Sequence, residues 1–79
     1  MSCMFEVIYR EPPDESRDRR IAAVVARHSG EISCYESPKP EDISRSVVLT
    51  CEFESDERAE AAVEELRQSG EHVEGPMDY

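Results

Sequence analysis

The sequence contains no long apolar run, no tryptophan and no asparagine, and its only lysine is Lys39. A helix that crosses a membrane needs about 18 or more consecutive apolar residues, so no membrane partner is expected. The opening residues MSCMFEV have neither the basic segment nor the cleavage site of a signal peptide. We therefore expect a cytoplasmic protein, and the arginine-rich, asparagine-free composition suggests a bacterial source.

Close pairs of cysteine or histidine are also absent. Cys3, Cys34 and Cys51 lie far apart within strand-like segments, and the chain has no C-x-x-C or H-x-x-x-H motif. Structural zinc sites and redox motifs need such closely spaced ligands. We therefore predict three buried, reduced thiols, with no metal and no cofactor. We place His28 at the margin of the core and His72 on an edge strand.

Positive charge is scarce and unevenly distributed. The chain has 9 Lys and Arg residues against 19 Asp and Glu residues, for a net charge of −10. Residues 1–40 hold six basic and seven acidic residues, for −1, whereas residues 41–79 hold three and twelve, for −9. Nucleic-acid binding depends on clustered Lys and Arg that neutralise phosphates. No nucleic-acid partner is therefore expected.

The remaining pattern is that of a small folded domain. A chain of 79 residues with 38% hydrophobic content forms one domain, residues 1–79. Alternation of apolar and polar residues predicts strands at 3–10 and 46–54, with shorter strands at 31–36 and 71–74. The inward face of the two long strands comprises Phe5, Val7, Tyr9, Val47, Leu49, Cys51 and Phe53.

Two segments between these strands have helical spacing. Asp14 or Ser16 can cap the first helix, and Ser55 can cap the second. Each has a stripe at positions i, i+3, i+4 and i+7, which is one face of a helix. The stripes are Ile21, Val24, Val25 and His28, and Ala59, Ala62, Val63 and Leu66.

A repeated pentapeptide marks the predicted end of each helix. RHSGE at 27–31 and RQSGE at 67–71 lie 40 positions apart. In each copy we interpret the arginine as a match to the helix dipole and the glycine, Gly30 or Gly70, as the left-handed residue that ends the helix. The chain therefore divides into two β-α-β halves.

The order β-α-β-β-α-β resembles the ferredoxin-like, split β-α-β fold. That resemblance implies an α+β two-layer sandwich. Its four-stranded antiparallel sheet has the order 4-1-3-2, and two helices cover one face. The alternative is a two-layer α+β sandwich with another strand order.

Families with this fold differ in the motifs they carry. RNA-recognition motifs stack bases on strand aromatics, but the matching open-face positions here include Glu6 and Glu52. Heavy-metal-associated domains have C-x-x-C after the first strand, and acylphosphatases have a glycine-rich loop there; this chain has REPPDE. ACT-type regulatory domains are the most similar by elimination, although they usually have glycine in that loop. A fold shared by many families does not assign a function.

Arginines near the start of the first helix form the first candidate site. Positive charge there opposes the helix dipole, which favours pairing with nearby acids or binding of an anionic ligand. We expect pairing with Glu64 and Glu65, because antiparallel helices place the end of the second helix beside the start of the first. The candidate ligand-binding residues are Arg10, Arg17, Arg19 and Arg20.

The uncovered face of the sheet is the second candidate site. Met4, Ile8, Val48 and Tyr35 are the apolar residues expected there. The leading hypothesis is a non-enzymatic interaction or regulatory module that uses this face with a protein partner or in a homodimer. The alternative is an ACT-like sensor of an anionic ligand at the region from Arg10 to Arg20. A lower alternative is a small oligomeric enzyme with a pocket between subunits, and no catalytic residue is assigned.

Overall fold

The computed structural model describes residues 3–41, 43 and 45–78. The elements are β1 (Cys3–Arg10), α1 (Glu15–Arg27), β2 (Glu31–Glu36), β3 (Ser46–Phe53), α2 (Asp56–Gln68) and β4 (His72–Asp78). The predicted element order is confirmed. Asp14 caps α1 by accepting the Arg17 N–H at 3.0 Å, and Ser55 caps α2 by accepting the Arg58 N–H at 3.3 Å.

The sheet has the order β2-β3-β1-β4, which is the predicted ferredoxin-like order read from the other edge. All its neighbouring strands are antiparallel. The central pair, β1 and β3, matches residue for residue from Cys3 opposite Phe53 to Arg10 opposite Ser46. The fold is therefore α+β with both helices packed on one face and the other face open.

The core lies between the helices and the inward side of the sheet. Alternate residues of β1 and β3 are buried, and Phe5 stacks on Phe53 with ring centroids 5.3 Å apart. Among the described residues, every buried side chain is apolar. The set comprises Cys3, Phe5, Val7, Tyr9, Ile21, Val24, Val25, Val47, Leu49, Cys51, Phe53, Ala59, Ala62, Val63, Leu66 and Val73.

The last strand is longer than its prediction. It was expected to end before Gly75, but it continues through Gly75 and Pro76 to Asp78. Gly75 has a φ of +110°, and a Cβ there would lie 3.1 Å from the Cβ of Phe5. The register of β4 against β1 shifts at this point, between Met4 and Glu6. An edge strand tolerates both residues because its outer side needs no ladder hydrogen bonds.

Both helices end in the same hydrogen-bond pattern, but the repeated pentapeptides are offset by one residue. In α2, Gly70 has a φ of +94°, as predicted, and Glu71 N–H donates to Leu66 O at 3.0 Å. In α1 the left-handed residue is Ser29, with a φ of 62°, and Gly30 N–H donates to Val25 O at 2.9 Å. The prediction for Gly30 was therefore wrong. These bonds are those of the Schellman motif.

The prediction of three buried thiols was wrong for one of them. Cys3 and Cys51 are buried, and Cys34 is exposed on β2. Burial raises the pKa of Cys51 to about 12, so this thiol stays protonated at neutral pH.

Candidate interaction surface on the open sheet face

The strand register arranges the side chains of the open face in rows across the four strands. Residues directly opposite one another in a ladder point to the same side of the sheet, so each row follows from the pairing. From β2 to β4, one row is Glu36, Val48, Ile8 and His72, and the next is Cys34, Thr50, Glu6 and Glu74. A third row holds Glu31, Glu52 and Met4, and Arg10 lies opposite Ser46 at the end.

An apolar pair lies at the centre of this face. Ile8 is directly opposite Val48, and both side chains are half-buried. Met4 is on the same face, two rows away and separated from Ile8 by Glu6. Three of the four predicted interface residues therefore lie on the open face, although only two of them are adjacent.

The fourth predicted interface residue, Tyr35, lies on the other side of the sheet. It pairs with Leu49, whose side chain is buried under the helices. The placement on the open face was therefore wrong. Tyr35 is 46% exposed, and its pKa is raised by partial burial and by the carboxylate of Asp18. Its hydroxyl therefore lies near Asp18, in the first turns of α1.

A single irregularity in β2 explains the misplacement of both Tyr35 and Cys34. The register against β3 shifts between Ile32, which pairs with Cys51, and Cys34, which pairs with Thr50. Ser33 is the extra residue, and its hydroxyl donates to Thr50 O at 3.5 Å. An extra residue reverses the inward and outward alternation beyond it. Cys34 therefore points to the open face and Tyr35 to the helices.

The open face is strongly acidic. It carries five carboxylates, those of Glu6, Glu31, Glu36, Glu52 and Glu74. Two pairs of these are directly opposed across strands, Glu31 with Glu52 and Glu6 with Glu74. Like charges in directly opposite positions destabilise a sheet, by roughly 0.2–1 kcal/mol for a pair. This arrangement therefore costs stability in the isolated chain.

Little positive charge balances these carboxylates. Arg10 is the one arginine in the rows, and the described residues provide it with no ion-pair partner. His72 lies at the β4 edge with its Nε2 3.4 Å from Glu74 Oε1. The face thus presents a negative potential around a small apolar centre.

The four candidate arginines of the anion site do not come together. Arg10 is on the open-face side of β1, and α1 packs on the opposite side. Arg19 and Arg20 are exposed. Arg20 lines a cavity of about 330 Å³ between the helices, together with Arg27, Glu65 and Glu71. Equal numbers of arginines and glutamates line this cavity, so it has no charge preference for anions.

Arg17 forms an ion pair and a cation–π contact within the fold. Its guanidinium donates to both carboxylate oxygens of Glu71, at 2.8 and 3.0 Å to Oε1 and 3.2 Å to Oε2, and lies 4.5 Å from the centre of the Tyr9 ring. The hydrogen bond to Glu71 raises the pKa of Arg17. The expected pairing of this cluster with Glu64 and Glu65 was wrong. Glu65 instead pairs with Arg27 and His28 at the end of α1, with His28 Nε2 2.9 Å from Glu65 Oε1.

A polar network surrounds the Tyr9 hydroxyl, and no pattern in the sequence predicts it. The hydroxyl donates to Asp18 Oδ1 at 2.6 Å and accepts the Asp14 N–H at 3.0 Å. Burial raises the pKa of Tyr9 above its usual value, and the bond to Asp18 adds to this. The network joins the end of β1 to the first turn of α1. Nothing in the spacing of the sequence indicates this contact, because the loop geometry brings the groups together.

No cluster of three or more potential metal ligands occurs within residues 3–41, 43 and 45–78. Over the same residues, neither helix has the length and apolar character needed to cross a membrane.

Comparisons with protein-family models, curated proteins and solved structures find no match to this chain.

Proposed function

We propose that this protein is a non-enzymatic interaction module whose open sheet face docks a basic protein partner. The observation that carries the proposal is that two pairs of glutamates lie directly opposite each other on this face, Glu31 with Glu52 and Glu6 with Glu74. The fold does not require these charges, because the positions are solvent-exposed or half-buried and accept any polar residue. A cationic partner relieves the repulsion that they create.

The chemistry of the face defines the partner further. Lys or Arg side chains would lie against the carboxylates, where complementary charge speeds encounter and orients the two proteins. An apolar side chain would cover Ile8 and Val48, since a desolvated apolar contact at the centre of an interface contributes most of its affinity. The partner is therefore a protein with a cationic surface around an apolar residue.

The same charges argue against a homodimer formed face to face. Such a dimer would bring two sets of five carboxylates together with only Arg10 and His72 on each side. Like charges at an interface cost several kcal/mol. Sedimentation equilibrium at low and high salt tests this: we expect no face-to-face dimer at low salt.

Affinity capture with matched variants tests the proposal. Ile8→Asp removes the apolar centre, and Glu6→Gln with Glu74→Gln removes one opposed pair. The control is Glu57→Gln with Glu60→Gln, which removes two exposed carboxylates of α2. We expect the wild-type chain and the α2 variant to retain basic proteins that both face variants fail to retain. The purified candidate should bind the face variants at least about tenfold more weakly, a loss of about 1.4 kcal/mol.

Equal retention by all folded variants would exclude the open face as the docking surface. Retention of acidic or uncharged proteins alone would exclude a basic partner. Circular dichroism of each variant establishes that it is folded before its binding is compared.

The two other hypotheses have less geometric support and stay predictions. An anion sensor would need Arg10, Arg17, Arg19 and Arg20 to converge, and they do not. An NMR titration with small anionic metabolites that leaves residues 10–20 unshifted would exclude it. An enzyme using His28 or His72 between subunits would lose turnover when both are substituted.

A further inference from the structure

The two edges of the sheet differ in whether another strand could pair with them. An edge strand exposes unpaired N–H and C=O groups that can template a further strand, and proteins commonly obstruct such edges. At β4 the obstruction is visible. Pro76 has no N–H to donate, Gly75 interrupts the regular backbone, and Arg67 Nη2 donates to Val73 O at 3.1 Å.

Among the described residues, the β2 edge lacks the proline, the glycine and the arginine contact that obstruct β4. Its one irregularity is the extra residue Ser33, which a paired strand must accommodate. The strand runs for six residues, Glu31–Glu36, without a proline, and five of the six are exposed. Within the part of the chain that the structure describes, β2 pairs with β3 only, so its outer side has no strand neighbour. The first residue of obstructing type beyond it is Pro38, which lies after the strand. The edge of β2 is therefore available for strand addition.

The side chains of β2 define what can pair there. Glu31, Cys34 and Glu36 point to the open face, and Ile32 and Tyr35 point to the helix side. An added strand places its own side chains beside these on the same two sides. It would therefore need cationic residues on the open-face side and apolar residues on the helix side.

A second copy of this chain does not meet that need. The antiparallel register that pairs all six residues of β2 with those of a second copy places Ile32 opposite Tyr35. The same register places Glu31 opposite Glu36 at both ends of the ladder. These like-charge pairs add to the opposed glutamates already present on the face, so self-pairing is disfavoured.

We propose that the outer edge of β2 pairs with an extended segment of a partner protein in which cationic and apolar residues alternate. The cations lie beside Glu31 and Glu36, and the apolar side chains cover Ile32 and Tyr35. The segment forms a fifth strand, and backbone hydrogen bonds supply affinity while the alternate side chains supply specificity. This edge adjoins the docking face proposed above and shares Glu31 and Glu36 with it. The two differ in how they bind, because the edge pairs through its backbone and the face docks side chains.

Synthetic peptides test this proposal on the intact chain. The probe is a capped peptide that repeats Arg-Val. One control repeats Glu-Val. The other is the Arg-Val peptide N-methylated at every residue, which keeps the charge but has no backbone N–H on either edge to donate to a ladder. The measurement is amide hydrogen exchange by NMR, which reports new backbone hydrogen bonds at β2 residues.

We expect the Arg-Val peptide to slow exchange at the outward-facing amides of residues 32–36 by about tenfold or more at saturation, which reports a stabilised ladder. Neither control should do so. A variant with Glu31→Gln and Glu36→Gln should bind the probe more weakly, and the α2 variant with Glu57→Gln and Glu60→Gln should bind it as the wild type does.

Three outcomes would overturn the proposal. One is unchanged exchange in β2 at any peptide concentration, and another is equal protection by the N-methylated peptide. The third is a set of shifts confined to β1 and β3, which would contradict strand addition and still support the open face. Loss of face docking with retained β2 protection would fail the proposed function alone, so the two are separable.

Discussion

Gly30 lies directly against the ring of Phe53. A Cβ built at Gly30 would be 2.3 Å from Phe53 Cε2, closer than non-bonded carbons approach. Gly30 therefore serves close packing, and Ser29 before it adopts the left-handed conformation.

We expect Gly30→Ala to destabilise the protein by about 1–3 kcal/mol, the usual cost of overpacking a core. Urea unfolding measures the change. In a Phe53→Leu background the alanine should cost much less, because the ring that it meets is gone. An equal cost in both backgrounds would show that the contact with Phe53 is not the cause.

Ser29 offers the opposite change. A non-glycine residue in the left-handed region costs roughly 1–2 kcal/mol. Glycine removes this cost, but it also raises the conformational entropy of the unfolded chain, which offsets part of the gain in stability. We expect Ser29→Gly to stabilise the protein by about 0.5 kcal/mol. Gly70→Ala, at the matching position of α2 with φ +94° and open space around it, should destabilise. A Ser29→Gly variant less stable than the wild type would contradict this account.

Relief of one opposed glutamate pair should raise stability. Glu31→Lys places a cation opposite Glu52, and we expect a gain of about 0.2–1 kcal/mol at low salt. Added salt should reduce the gain, because exposed charges are screened. Glu41→Lys changes the net charge equally at an exposed loop position and is the control. Equal gains from both would assign the effect to net charge rather than to the pair.

The buried thiol of Cys51 predicts loss of stability at alkaline pH. Its pKa is raised from 9.0 to about 12 in the folded protein. Between these values the unfolded state has lost the proton and the folded state keeps it, so stability falls as pH rises, by about 1.4 kcal/mol per pH unit for one proton. Urea unfolding from pH 8 to pH 11 measures the slope.

Cys51→Val removes the titrating group at similar volume and should flatten part of this slope. Cys34→Val, at an exposed position of β2, is the control for loss of a thiol. An identical slope in all three proteins would show that Cys51 does not contribute. The raised pKa of Tyr9 acts in the same direction above its ordinary value of 10.0, so it contributes to the upper end of the same slope.

The three thiols should differ in reactivity towards a thiol reagent. Cys34 is exposed, whereas Cys3 and Cys51 are buried. We expect Cys34 to react first in the native protein, with Cys3 and Cys51 reacting when the chain is unfolded in urea. Cys34→Ser should abolish the fast phase. A fast phase that survives this substitution would contradict the exposed position of Cys34.

Alternation and helical spacing were sufficient to predict the element order and the inward residues of β1 and β3. The sheet order was implied by the resemblance of that element order to the ferredoxin-like fold. The two patterns failed where one extra residue reverses the inward and outward alternation of side chains along a strand. Nothing in the spacing of apolar residues in β2 marks Ser33 as an extra residue, yet it reverses the faces of the sheet to which Cys34 and Tyr35 point. The contact between Gly30 and Phe53 was equally invisible, because it joins residues that only the folded chain brings together.

The open face shows the same limit. Met4, Ile8 and Val48 followed from alternation within one strand at a time. The opposition of Glu6 with Glu74 depends on the register between strands, which shifts near Gly75. Charge totals indicated an acidic second half, but not that the acids of both halves meet on one surface.

The strand order interleaves the two β-α-β halves of the chain. β1 and β2 belong to the first half, yet β3 lies between them; β3 and β4 belong to the second, yet β1 lies between them. Neither half contains a single pair of neighbouring strands, so neither can form part of the sheet alone. The β2–β3 ladder joins consecutive strands, but β1 pairs only with β3 and β4 from the other half of the chain. These two distant pairings imply a high contact order, slow folding for a chain of this length and all-or-none unfolding.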